Sequence, residues 1–245
     1  MRATHSVTDA SSEGLDVEAS RSIYREFPPP SSLQEHVLCI WTQTISKSRG
    51  GYSHLVLPDA CIDIVFINHD IPAVIGPWTE SFIVGLAAGT TIVGVRFHPG
   101  RASNFFGVPA HTLLNQSDAL DDLSRILREC FARILDETTV EVRKATLIAG
   151  LFEHLPHCSP NDQAVNAAIR WLAFHPNGHI GQLSAWIGLS SRQLQRRFLA
   201  AVGYGPKTFH SILRFQRLLN LAGGTHNIRK LSILPLKPAT PTKRT

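Results

Sequence analysis

Residues 180–198 read Ile180-Gly181-Gln182-Leu183-Ser184-Ala185-Trp186-Ile187-Gly188-Leu189-Ser190-Ser191-Arg192-Gln193-Leu194-Gln195-Arg196-Arg197-Phe198. Ile180, Leu183 and Ile187 recur at a spacing that puts them on one face of a short helix. Gly188 follows them, and glycine accepts the left-handed backbone that ends a helix. Ser190 and Gln193 then stand three apart, the capping-box pattern in which each side chain satisfies the other's free backbone N–H. Two short helices joined by a tight glycine turn make a helix-turn-helix.

In the second helix Leu194, Phe198 and Val202 fall on one side and are predicted to pack inward, which turns Ser191, Arg192, Gln195, Arg196 and Leu199 outward. Arginine can grip O6 and N7 of guanine, and glutamine can pair with N6 and N7 of adenine, so this face has base-reading chemistry in the first turns of the helix. Arg197 stands one step round and is expected to bond phosphate or a neighbouring helix. Charge agrees with this reading. From Asn177 to Thr245 there are eleven Lys or Arg and no Asp or Glu, leaving 13 of the 24 basic residues and all 19 acidic ones in the first 176 positions. A purely basic back joined to an acidic front fits a chain that touches nucleic acid at one end.

Upstream, Val165, Ala168, Ile169 and Leu172 predict one more helix, and Pro156 with Pro160 marks a domain boundary before it. From residue 118 the period is helical: Leu120, Leu123, Ile126, Leu127, Cys130, Phe131 and Ile134 form one stripe. Val140, Ala145, Leu147, Ile148, Leu151, Phe152 and Leu155 form a second beyond the break at 136–139. This helical hairpin is expected to bury its stripes against a sheet or a second subunit. Between Pro28 and Pro109, short apolar runs that include 54–57, 61–67, 73–75, 82–86 and 91–97 are punctuated by Gly and Pro and read as strands. Alternation in the last run predicts Arg96 and His98 on one face, where they are candidates to contact an anionic small-molecule effector. Residues 1–22, poor in large apolar side chains, read as a disordered arm.

The run I-x-x-L-S-x-x-x-G-L-S-x-R-x-L-x-R-x-F, followed by Val202-Gly203-Tyr204-Gly205-Pro206-Lys207 and by Phe209 to Leu219, resembles the first half of the DNA-binding domain of AraC-type transcriptional regulators. Three further segments, at 57–63, 75–77 and 94–102, resemble an uncharacterised sensor-type domain found in one bacterial subgroup of that family; together the resemblances span roughly residues 27–222. They imply an effector or dimerisation domain in front and two helix-turn-helix units bridged by a long helix behind, with 206–221 as the bridge. Relatives continue beyond the bridge with a second unit. Residues 222–245 here, with Pro235 and Pro238 and no amphipathic stripe, leave no room for one, so a truncated back end is expected.

Other groups invite chemistry more weakly. Residues 153–158, Glu-His-Leu-Pro-His-Cys, are metal-capable, but Pro156 breaks the helix that would align them, and no metal or cofactor is expected. Asp59 and Asp63 read as turn-forming acids after Pro58. Trp41, Trp78, Trp171 and Trp186 read as core or rim aromatics, and the four cysteines, without a C-x-x-C pair, as reduced core thiols. No hydrolase, P-loop or zincin motif motivates an enzyme. A 245-residue chain that is 43% hydrophobic and 18% charged, with mean hydropathy of zero, has the composition of a soluble globular protein and holds no 18-residue apolar run.

The expected fold class is α+β. Its parts are the arm at 1–22, a β-rich sensor-like domain at 23–116, a helical hairpin at 117–158 with possible dimerisation, a helix-turn-helix domain at 159–227 and a basic tail at 228–245. The expected function is a cytoplasmic, sequence-specific regulator that reads double-stranded DNA, as a possible homodimer and without a membrane. Ser191, Arg192, Gln195, Arg196, Arg197, Lys207 and Arg214 are the DNA-binding candidates. The alternative is a ligand-binding or dimerising module whose shortened back end is inactive on DNA.

Overall fold

The computed structural model describes residues 22–47, 51–68, 70, 72–120, 129, 131, 134 and 139–222. Among these residues eight strands run β1 (Ser22–Phe27), β2 (Val37–Ile45), β3 (Tyr52–Val56), β4 (Ile62–Ile67), β5 (Ala73–Ile75), β6 (Phe82–Leu86), β7 (Thr91–Phe97) and β8 (Ser117–Ala119). Six of them form one antiparallel sheet in the order β1-β2-β7-β4-β5-β8, and β3 pairs with β6 in a separate ribbon. The protein is α+β, as its sequence pattern predicts.

Strand alternation sorts the sheet into two faces. Ile40, Ile62, Ile64, Phe66, Val74, Val93, Val95 and Phe97 point one way and form a core with the short helix α1 (Ala102–Phe106), the turn at 110–113 and helix α2 (Val140–His154). Each such side chain, fully buried, contributes about 1.5–3 kcal/mol. The opposite face carries Trp41, Val65, Ile92 and Arg96 and is covered by the ribbon.

The boundaries differ from expectation in two places. Ser22 is a strand residue, paired with Ile45, because β1 begins there. Residues 117–119, expected to open a helical hairpin, instead extend the sheet by pairing with β5. Of the first expected stripe, Leu120, Phe131 and Ile134 are buried in the sheet core, while Leu123, Ile126, Leu127 and Cys130 lie outside the described residues. In α2 the inward face is Arg143, Leu147, Gly150, Leu151 and His154, so Ala145 and Phe152 are left exposed. The inward apolar residues of this helix meet the sheet of their own chain rather than a second subunit. The arm expected at 1–22, apart from Ser22, and the basic tail lie outside the described residues.

Beyond residue 160 come α3 (Gln163–Phe174), α4 (Ile180–Ile187), α5 (Ser191–Val202) and α6 (Pro206–Leu221). The Asp162 carboxylate caps α3 by accepting from the N–H groups of Ala164 and Val165, at 3.0 and 3.2 Å. Val165, Leu172, Leu183, Leu194, Phe198 and Phe209 centre the helical core. The chain crosses from sheet to helices at the proline-marked boundary, yet the two parts are firmly docked. Ala60, from the turn between β3 and β4, is buried in the helical core, and Gln216 of α6 donates to the Pro58 carbonyl at 2.5 Å. Gly203 ends α5 with φ of 98°, and a β-carbon there would stand 2.6 Å from Pro77 Cγ and 3.1 Å from the Ala110 carbonyl. Only glycine meets both demands.

Candidate nucleic-acid interface and a second candidate site

Gly188, with φ of 74°, closes α4 and turns the chain into α5. Ser190 Oγ accepts from the Gln193 N–H at 3.3 Å and Gln193 Oε1 accepts from the Ser190 N–H at 3.0 Å, the reciprocal cap its sequence predicts. Leu194 and Phe198 are fully buried and Val202 nearly so, with Phe198 set edge-on to Phe209 at 5.5 Å. Packing this stripe inward leaves Ser191, Arg192, Gln195, Arg196 and Arg197 exposed; Leu199, expected outward, is half-buried.

The expected DNA-binding residues differ in how free they are. Arg192 and Arg196 on α5, and Lys207 and Arg214 two turns apart on α6, make no side-chain ion pair or hydrogen bond among the described residues. Ser191 Oγ lies 3.4 Å from Ser184 Oγ, tying α5 to α4. The Gln195 amide folds over Gly205 at the start of α6, so it reaches outward only by changing rotamer. Arg197 takes the neighbouring-helix option: its Nη1 lies 3.4 Å from Asp162 Oδ1, at the cap of α3. Among the described residues no acidic side chain lies in α4, α5 or α6.

The second site is a cavity of about 150 Å³ between the sheet and the ribbon. Trp41, His54, Asp59, Asp63, Trp78 and Arg96 are among its walls. The β4–β7 register sets Asp63 opposite Arg96. Arg96 Nε and Nη2 donate to Asp63 Oδ1 and Oδ2 at 2.8 and 2.7 Å, a bidentate fork, and Nη1 meets Asp59 Oδ2 at 2.8 Å. Burial works against the Arg96 charge, but Asp59 and Asp63 prevail and hold the guanidinium well above its ordinary range. Burial also pushes the Asp63 carboxyl up, to about 6, against the pull of Arg96. Burial, aided by Arg96, lowers His54 and keeps it neutral.

His98 does not join Arg96. β7 ends at Phe97, and His98 sits instead near Arg101 and His36, where burial first and Arg101 second lower it to about 4. Asp59 does form the expected turn, accepting from the Cys61 N–H at 3.0 Å, but Asp63 lies within β4 and both acids serve Arg96. Trp41 and Trp78, read from sequence as core or rim, line the cavity, and Trp78 lies 4.1 Å from Phe82, ring to ring. Alternation through Cys39, Trp41 and Gln43 is the signal that places Trp41 and Gln43 together on this face. His154, one of the metal-capable residues, is turned into the core with Nε2 at 2.6 Å from the Phe105 carbonyl.

Fold and sites define an α+β protein in which a sheet-and-ribbon cavity domain is docked on a unit of helices, α3 to α6. Residues 25–118 match the family model described as "Domain of unknown function (DUF6597)", so the chain carries a domain of this kind in its front part. No curated protein and no solved structure matches the chain. Among the described residues no helix is long and apolar enough to cross a membrane.

Proposed function

We propose that the protein is a sequence-specific, double-stranded-DNA-binding transcriptional regulator of AraC type, with α5 as the helix that enters the major groove. The observation that carries this reading is the capped, glycine-turned pair α4–α5, whose outer face holds two arginines with no hydrogen-bond or ion-pair partner among the described residues. A guanidinium left unengaged at the start of such a helix suits bidentate pairing with guanine. Arg192 and Arg196 are the base readers, and Gln195 becomes one by swinging off Gly205. Lys207, Arg214 and the Ser191 hydroxyl meet phosphate, while Arg197 braces α5 against α3. The cavity domain senses a small molecule, and pairing of two chains supplies two reading helices per site.

Selection from a randomised duplex pool by the purified full chain, at two salt concentrations, tests this. Enrichment of a motif, with affinity falling as salt rises, is the expected result. Weak binding blind to sequence favours a ligand-binding module inactive on DNA, the reading that the cavity by itself supports.

A further inference from the structure

We propose that the cavity between the six-stranded sheet and the β3–β6 ribbon binds a small organic monocation, a protonated amine on an apolar body of about benzene size, with its charge seated on Asp59. Size follows from the volume: a dry cavity of this order accepts a benzene ring. The body's character follows from the walls, which include Trp41, Val65, Trp78, Phe82 and Val84.

The sign of the charge follows from a count of the ionisable groups that face the space. Asp59 and Asp63 bring two carboxylates, Arg96 brings one guanidinium, and His54 is neutral, so the cavity carries one uncompensated negative charge. An effector anion, the expectation from Arg96 seen alone, would meet a guanidinium already engaged on three nitrogens by two acids. Asp63 has both oxygens in the Arg96 fork and its side chain is 9% exposed, whereas that of Asp59 is 24% exposed. Asp59 accepts one bond at each oxygen, from the Cys61 N–H and from Arg96, and a carboxylate has about four acceptor sites. It is therefore the acid with capacity and room for a cationic donor. Trp41 and Trp78 line the same cavity, and an indole ring attracts a cation that approaches its face.

Calorimetric titration of the full chain at pH 7.5 with three probes of one shape tests the proposal: cyclohexylmethylamine, cyclohexylmethanol and cyclohexanecarboxylate. The ammonium is expected to bind at least about tenfold more tightly than the alcohol, with the carboxylate weaker still. Asp59→Asn is expected to bring ammonium and alcohol within about threefold of each other, and Val84→Trp, which fills the space from the ribbon, to abolish both. Carboxylate binding as tight as ammonium, equal affinity for all three probes, no binding of any, or binding undisturbed by Val84→Trp would each overturn it. The probe series needs no variant and no DNA, so its outcome stands apart from that of the duplex selection.

Discussion

Replacing Arg96 by methionine keeps most of the apolar stem and removes a cation held by three contacts of 2.7–2.8 Å. Asp63, at 7% exposure, then loses its countercharge while staying buried. Removing one partner of a buried ion pair costs about 3–5 kcal/mol, a large share of the ~5–15 kcal/mol that holds a typical domain folded. The cost should depend on pH in a definite direction. Burial already holds Asp63 at about 6, above the usual 3.8, with Arg96 pulling it down, and without that pull it rises further. A carboxyl raised in the folded state adds stability at pH below its unfolded value and loses it as pH climbs through the folded one. The variant therefore suffers least near pH 5 and most near pH 8. Urea unfolding of both proteins at pH 5, 6, 7 and 8, followed by tryptophan fluorescence, measures this. A penalty under about 1 kcal/mol at pH 7, or one equal at pH 5 and pH 8, would refute the account of Arg96 as the buried countercharge.

Arg196→Ala is expected to weaken binding to the selected duplex by about 1–3 kcal/mol and relax one base position, while Lys207→Ala weakens all sequences alike and lowers the salt slope by about one; an unchanged site preference for Arg196→Ala contradicts its role. Ser190→Ala, which removes the acceptor at 3.3 Å from the Gln193 N–H, should cost about 0.5–2 kcal/mol in thermal unfolding. Gly203→Val, forced into φ of 98° against Pro77 and Ala110, should lower the melting midpoint by the equivalent of at least about 1–3 kcal/mol. His36, His54, His98, His154 and His210 are all lowered by burial, so the stability they lend is present above pH 6.5 and drains on acidification, for His98 down to about pH 4. Urea midpoints should fall from pH 7 to pH 4 despite the opposing gain from Asp63; midpoints that rise would contradict the buried, neutral state of these rings.

What the sequence discloses depends on how far apart the interacting residues lie. Ser190 and Gln193, Gly188, and Leu194 with Phe198 and Val202 act over three or four residues, and a helix of fixed pitch converts spacing directly into geometry. The Arg96 clamp is different. Arg96 and Asp63 are 33 positions apart and meet only because β4 pairs with β7 in one particular register. Alternation placed Arg96 and His98 on a common side, but the strand stops at Phe97 and the turn carries His98 elsewhere. The same limit hid the part of 117–119 in the sheet, since three residues are too few to show a period.

Ala60 carries a consequence for building chimeras. Its backbone is left-handed, with φ of 66°, a conformation that disfavours any side chain, and its methyl nevertheless sits at 3% exposure inside the core of the helical unit. The front domain thus supplies apolar groups, Ala60 and Leu114 among them, that the back domain needs to be fully packed. Grafting residues 159–222 onto another front domain leaves at least a methyl-sized void costing about 1 kcal/mol, together with an unanswered Gln216 amide, unless the new partner presents an equivalent turn. The two halves are interchangeable only as matched sets.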